Sequence, residues 1–364
     1  MQSRPIFVSL MMCLLSTMGC GDETAGPADS SVDVQFVMDA AAVDANAMDA
    51  NAVDAGGPDV GTSRVPLFLA IGWGGRHIAS CDMGRTWIND TSESAEDDWH
   101  QTYTPKSLAY QDGLFVRMTG WGTASTVHAS RDGLEWTSVE LSGRGGTAVG
   151  FDEQWTVLTD NNIYVSDDGL DWGVLDGAPF SALNRDGAVY PGLWVSGSDG
   201  TVQFNRGEGW VDLASCNGQR HTSIGVNGGF AASPDRVVSF GDGGETCVVD
   251  RNTGADLGAG SMGASVNGVG AYVNGEFWVG TGGRLYRSPD GLSWTDDAIA
   301  SGARFELVAD SGEGTIAAAS RNGDAFYYSD DNGASWQEAD APMGNDLYRM
   351  VFGWAEPSAQ CPAR

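Results

Sequence analysis

The chain has 364 residues, long enough to bury a sizeable core as one large domain or two ordinary ones, and 52 of them are Gly. Its 19 Lys+Arg stand against 49 Asp+Glu, a formal charge of −30, which is the wrong sign for neutralising nucleic-acid phosphates or for direct attachment to anionic lipid. Thirteen Trp and thirteen Phe exclude a wholly disordered acidic chain, and no internal apolar run reaches membrane-span length.

Residues 1–20 open with one positive charge, Arg4, followed by an apolar stretch from Ile6 to Leu15. That is the pattern of an export signal and is too short to span a membrane. Gly19 directly precedes Cys20, and the whole resembles a bacterial lipoprotein signal. The resemblance implies lipidation at Cys20 and a place in the cell envelope, at the outer membrane or cell surface. Plain secretion is the alternative. Buried acyl chains would then be the sole membrane contact, at about 0.8 kcal/mol per methylene.

Residues 21–62 carry nine acidic side chains and no basic ones, with Asp39, Asp44, Asp49, Asp54 and Asp59 recurring among Ala, Val and Asn. Like charges repel and little apolar area is available, so a disordered, extended spacer is expected. The Asp period lacks the Gly turn and terminal Glu of a known calcium loop. The remaining domain, residues 63–364, holds 40 acidic and 18 basic side chains, a formal −22.

One motif then recurs seven times. Ser80-Cys81-Asp82-Met83-Gly84-Arg85-Thr86-Trp87 and Ser329-Asp330-Asp331-Asn332-Gly333-Ala334-Ser335-Trp336 share an eight-residue form. Ser130-Arg131-Asp132-Gly133-Leu134-Glu135-Trp136, Ser166 to Trp172 around Asp168-Gly169, and Ser288 to Trp294 around Asp290-Gly291 are one residue shorter. Two copies are degenerate: Phe240 to Cys247, which keeps Asp242, Gly244 and Thr246, and Asn205 to Trp210, which keeps turn glycines and the Trp. Asp and Ser can bond turn N–H groups, Gly permits positive φ, and Trp opens the next strand with a large apolar face. On these residues the chain resembles the Asp-box, or BNR, repeat proteins of the sialidase-like superfamily, over about residues 64–354. The resemblance implies an all-β, seven-bladed β-propeller with four-stranded antiparallel blades. Asp82, Asp132, Asp168, Asp242, Asp290 and Asp331 would be its structural turn residues.

Strand patterns agree with that fold. Ser107–Tyr110 and Leu114–Thr119 flank the turn around Asp112-Gly113, and Val266–Tyr272 and Glu276–Gly280 flank Asn274-Gly275. A third run enters the motif, as at Ile163–Ser166, Leu285–Ser288 and Ala325–Ser329, and a fourth leaves it. The first unit has only three runs, Pro66–Ile71, His77–Ser80 and Thr86–Asn89, while Leu347–Phe352 is left over at the end. The C-terminal run is therefore expected to pair into blade one and close the ring.

Cys13 leaves with the signal and Cys20 carries lipid, so Cys81, Cys216, Cys247 and Cys361 remain. An even count in an exported domain suggests two disulfides with three possible connectivities, free thiols being the alternative. The expected pair is Cys81–Cys361, because Cys81 lies in the blade-one hairpin and Cys361 follows that blade's inner strand. Cys216–Cys247 then follows by elimination.

In such blades the motif turns lie at one end of the ring. The loops joining strands two and three, and those joining blades, lie at the other, where ligands of propellers sit. Candidate ligand contacts at that end are Trp73, Arg76 and His77 in one Gly-rich loop, Trp99 and Tyr103 in the long blade one-to-two connection, Trp121, and Arg321. Aromatic faces with carboxylates and donors suit sugar recognition; filling of space between loops is the alternative for Trp73 and Trp121. Sialidases hold a substrate carboxylate with three Arg, and Ser63-Arg64-Val65-Pro66 only faintly echoes their first-Arg motif. Asp97 and Asp98 are the first carboxylates to test for glycosidase chemistry. His77, His100, His128 and His221 are scattered, and no cofactor or metal site emerges. The sequence therefore reads as an envelope-anchored, monomeric, non-catalytic module for a glycan or cell-surface protein. A sialidase-like hydrolase or lyase and an assembly or scaffold factor are its alternatives.

Overall fold

A computed structural model describes residues 63–92, 105–120, 124–159, 162–175, 186–198, 201–216, 229–241, 243–266, 268–298 and 303–363. All belong to one compact unit, Ala47–Arg364. They form a seven-bladed β-propeller of seven four-stranded antiparallel sheets, with two single 3-10 turns at Trp73–Gly75 and Ala214–Cys216 as the described helix. The inner strands, from blade one onward, are Leu347–Ala355, Pro105–Gln111, Ala148–Asp152, Asp186–Tyr190, Gly229–Ala232, Ala271–Val273 and Leu307–Asp310. Each contacts the inner strand of the next blade, and the last contacts the first.

Ring closure is made by the chain's two ends. Leu347–Ala355 pairs antiparallel with Val65–Gly72, placing Leu69 opposite Val351 and Ala70 opposite Met350. A bulge between Ile71 and Gly72 ends the ladder.

The apolar runs follow from where each face goes. Side chains of a strand alternate between faces, and in a propeller both faces meet another blade. On Val65–Gly72, Phe68 and Ala70 join Phe326, Leu307 and Ala317 of blade seven. Leu67, Leu69 and Ile71 instead join Phe115 of blade two. The same division yields one buried cluster at each of the seven seams. This is why the second strands read as continuous rather than alternating apolar runs.

The Ser-x-Asp motifs occupy turns between third and fourth strands. Ser130 Oγ donates to Asp132 Oδ1 at 3.0 Å and accepts from Gly133 N at 2.8 Å, while Leu134 N and Glu135 N both donate to Asp132 Oδ1 at 2.9 Å. Asp168 and Asp290 repeat this set. In the eight-residue forms Asp82 accepts from Thr86 N and Asp331 from Ser335 N, each at 2.8 Å. Asp331 is held down to about 2 by the Ser335 hydroxyl and N–H and the Ser329 hydroxyl. Gly133 has φ 72°, and a Cβ there would strike Leu67 of the preceding blade, so this turn also keys one blade onto the next. Trp87, Trp172 and Trp294 donate their indole N–H to the carbonyl three residues earlier, at 3.0–3.1 Å.

Two sequence expectations need correction. Asp242 itself lies outside the described residues, but its neighbours fall between the second strand, Arg236–Phe240, and the third, Glu245–Asp250, of blade five. That loop is at the wrong end for a motif turn. The equivalent turn is Asp250 to Ala255, where Asp250 Oδ1 accepts from Asn252 N at 2.9 Å and Thr253 N at 2.7 Å. Gly254, at φ 73°, takes the keying position against Phe204 of blade four. In blade six the inner strand begins at Ala271 rather than Val266; before it, a Cβ at Gly268 would strike the Gly280 carbonyl and one at Gly270 the Phe240 ring.

Two disulfides are present. Cys81–Cys361 joins the first motif turn to the C-terminal tail, with Cα atoms 5.7 Å apart. Cys216–Cys247 joins the blade four-to-five connection to the third strand of blade five, with Cα atoms 5.6 Å apart.

Candidate functional site

The end opposite the motif turns is built in part from three loops at the ring's closure. They are residues 73–76 between the second and third strands of blade one, residues 320–325 in the matching position of blade seven, and residues 339–346 connecting blade seven to blade one. Backbone bonds knit them: Trp73 N donates to Asp346 O at 2.7 Å, Gly344 N to Gly323 O at 3.2 Å, and Leu347 N to Arg321 O at 2.6 Å.

Arg76 locks the knot. Its side chain is 1% exposed, and all five guanidinium N–H groups meet protein acceptors. Nε and Nη2 form a forked pair with Asp90 Oδ1 and Oδ2 at 2.7 and 3.1 Å. Nη2 also donates to Pro342 O at 3.2 Å, and Nη1 donates to Gly323 O at 3.5 Å and to Asn345 O. Gly323 and Gly344 lie against the guanidinium where any Cβ would collide. Arg76 therefore positions the loops, and its donors face protein rather than the open end.

His77 is also turned inward. Its Nδ1 faces Gly75 O at 3.2 Å and its Nε2 faces Thr91 Oγ1 at 2.6 Å. A carbonyl accepts only, so Nδ1 carries the proton and Thr91 donates to Nε2 in the neutral ring. Beside it, Arg117 is fully buried on the second strand of blade two, 4.6 Å from the Trp136 ring centroid, and donates to Gly75 O at 3.3 Å. His128 lies on the adjoining strand between Thr119 Oγ1 at 3.0 Å and Ser138 Oγ at 2.7 Å. Burial first, then the charges of Arg117 and His77, push its pKa from 6.5 down to about 3.

Two candidates keep a face toward solvent. Trp73 is half-buried at the tip of its loop. Arg321 is partly exposed, 4.0 Å from Asp346, and its backbone N–H donates to buried Glu306 Oε2 at 2.7 Å. Burial, with the Asp346 carboxylate, raises the Tyr348 phenol beyond its usual range, and Arg321 partly opposes this. The same knot presents Met343, 79% exposed, which the sequence reading missed. No motif marks it; only a very exposed Met in a short connection does. Trp99, Tyr103, Trp121, Asp97 and Asp98 lie outside the described residues. Trp73, Arg76, His77 and Arg321 are thus gathered at one end of blades one and seven, two facing inward and two at the rim.

Residues 235–350 match the family described as the DUF6242 beta propeller domain. No curated protein matches the chain. Among solved structures, the chain is similar to YCF48 bound to D1 peptide, at 18% identity and a TM-score of 0.48 over 77% of this chain and 95% of that one. It is similar to the computationally designed Ika8 protein, at 18% identity and a TM-score of 0.49 over 80% of this chain and 91% of that one. It is also similar to PorZ, a surface component of the type-IX secretion system of Porphyromonas gingivalis, at 11% identity and a TM-score of 0.42 over 67% of this chain and 34% of that one.

Proposed function

We propose that residues 63–364 form a non-catalytic binding module of the Asp-box type, which takes a glycan or a protein partner at the end opposite its motif turns. In this reading Cys20 is lipidated and residues 21–62 are the spacer that holds the domain off the cell envelope. The observation that carries the binding reading is the Arg76 knot. A fully engaged guanidinium fixes three loops from both sides of the ring closure, and those loops hold Trp73 and Met343 outward. A rim fixed before binding loses less conformational entropy on association, which favours recognition at that surface. A non-catalytic role is supported by Asp90 and Glu306, two carboxylates beside the rim that are committed to Arg76 and to the Arg321 backbone.

The test compares the wild-type domain with a Trp73→Ala/Met343→Ser variant on a glycan array, and by site-specific photo-crosslinking from position 343 in cells. Binding that falls at least tenfold while the melting temperature stays fixed is the expected result. A glycan partner appears in the first assay, a protein partner in the second. Cross-links of equal yield from position 153, at the opposite end, overturn the siting. Hydrolysis of a fluorogenic sialoside, abolished by Asp97→Asn/Asp98→Asn, overturns the non-catalytic reading.

A further inference from the structure

The two disulfides differ in what guards them. Cys216 is 0% exposed and Cys247 1%, inside the seam between blades four and five. Cys361 is also fully buried, but its partner Cys81 is half-buried in an outward turn, its sulfur 3.8 Å from Gln360 O at an exposed position. The segment that Cys361 terminates is thinly held. Its backbone is tied to the body by Glu356 N donating to Arg131 O at 2.8 Å. Besides the Cys81 contact at Gln360 O, the described bonds of the tail include two internal ones, Ser358 N to Cys361 O at 2.9 Å and Cys361 N to Ser358 Oγ at 3.0 Å. By contrast the strand before it, Leu347–Ala355, is paired with Val65–Gly72 along its length.

We propose that Cys81–Cys361 is a thiol-operated latch on the C-terminal tail, residues 356–363, and that Cys216–Cys247 is a sealed structural bridge. The inference goes beyond the binding reading and does not depend on it. A thiolate of a small dithiol attacks the accessible Cys81 Sγ. The Sγ–Sγ bond breaks and Cys361 leaves as a thiolate, which takes a proton from water. The second thiol of the reductant then displaces the mixed disulfide, freeing Cys81 and closing the oxidised reductant on itself; the dithiol supplies both electrons. The tail contributes Glu356 and Pro357 as one wall of a groove whose other wall is Arg131, Asp132, Glu135, Trp136 and Thr137. Cys361 itself packs in the cluster of Val65, Leu67 and Ala79, against which Leu134 and Trp136 also lie. Opening the latch removes that wall and uncovers the apolar bed beneath Cys361, while the inner strand keeps the ring closed.

The test is graded dithiothreitol treatment of the full chain, with alkylation and peptide mass spectrometry. Cys81 and Cys361 are expected to alkylate at a reductant concentration at least tenfold below that for Cys216 and Cys247. At that point far-UV circular dichroism is unchanged and a carboxypeptidase trims the tail; reoxidation restores protection. Simultaneous opening of both bridges overturns the proposal, as does a tail that stays protected after opening. Cys81→Ser/Cys361→Ser gives the second reading: it is expected to fold with a constitutively trimmed tail, and a variant that loses its β-sheet signal shows that the bridge is needed for the ring itself.

Discussion

At the scale of single residues, the polar side chains that decide this molecule's behaviour are mostly turned inward. Arg76 sits in a loop whose sequence, Gly-Trp-Gly-Gly-Arg-His, suggests an exposed contact. Its direction is set by Asp90, 14 positions on, together with carbonyls 247 to 269 positions away at Gly323, Pro342 and Asn345, and no local pattern encodes the distant ones. His128 is a second case, and it has a measurable consequence. Its imidazole is neutral in the folded protein down to about pH 3, whereas in the unfolded chain it takes a proton near its ordinary 6.5. Protonation therefore favours the unfolded chain. The stabilisation is fully present above 6.5 and is lost progressively as pH falls from 6.5 toward 3, up to about 4–5 kcal/mol if the whole shift is realised. The carboxylates of Asp168 and Asp290, held below 3.8 by their turns, lose their share only at lower pH, so they stay constant between 6.5 and 5, and comparison with His128→Gln separates His128 from the other three histidines. Urea midpoints across that window should slope downward with acidity in the wild type. The slope should be markedly smaller in His128→Gln, and equal slopes in the two proteins would dismiss the assignment.

At the scale of the element, the motif turn was the most legible feature of the sequence, because Ser, Asp and Gly each satisfy a separate local need. Five intact copies marked five third-to-fourth-strand turns, and two degenerate copies in the gap between them completed the count of seven blades. Blade five escaped that reading for a physical reason. Its Asp250 accepts the two N–H groups following the turn as Asp132 does, but the keying glycine comes four residues later instead of one. Gly241, Gly243 and Gly244 imitate the motif's glycines at the opposite end. Burial of the Asp250 carboxylate works against ionisation, and the N–H and hydroxyl of Thr253 with the N–H of Asn252 outweigh it, leaving its pKa below 3.8. Asp250→Ala and Asp132→Ala each strip an acceptor from two turn N–H groups, and each should cost about 1–2 kcal/mol. Asp242→Ala should stay within about 0.5 kcal/mol of wild type. Urea denaturation at constant m-value measures all three, and a reversed order between positions 242 and 250 would restore the sequence-based assignment.

At the scale of the whole molecule, stability is arranged as a circuit. Seven seams each bury one apolar cluster, and no blade has a second sheet of its own to pack on, so every blade relies on two neighbours. The seams on either side of blade one differ from the rest because the inner strand that feeds both, Leu347–Ala355, comes from the far end of the sequence. Leu347 and Phe352 fill the seam with blade seven, and Ala355 and Val351 fill the seam with blade two. Closure was legible because the first unit lacked a strand and the last had one to spare. The three-loop knot around Arg76 was not, since it forms only once the ring has brought residues 76, 323 and 345 together. Removing residues 347–364 should therefore do more than shorten one sheet. It strips blade one of its inner strand, opens two seams, and deletes the anchor of the connection that Arg76 holds. In a repeat array, loss of nearest-neighbour interfaces on both sides of a unit frees that unit and exposes new ends, so cooperativity falls along with stability. Calorimetry should show the single transition of the full chain replaced by a broad, low-enthalpy one. Removing only residues 356–364 from a Cys81→Ser background should keep one sharp transition at a lower temperature. If the longer deletion also melts in one sharp step, the ring does not depend on closure by its C-terminal strand, and the circuit description is wrong.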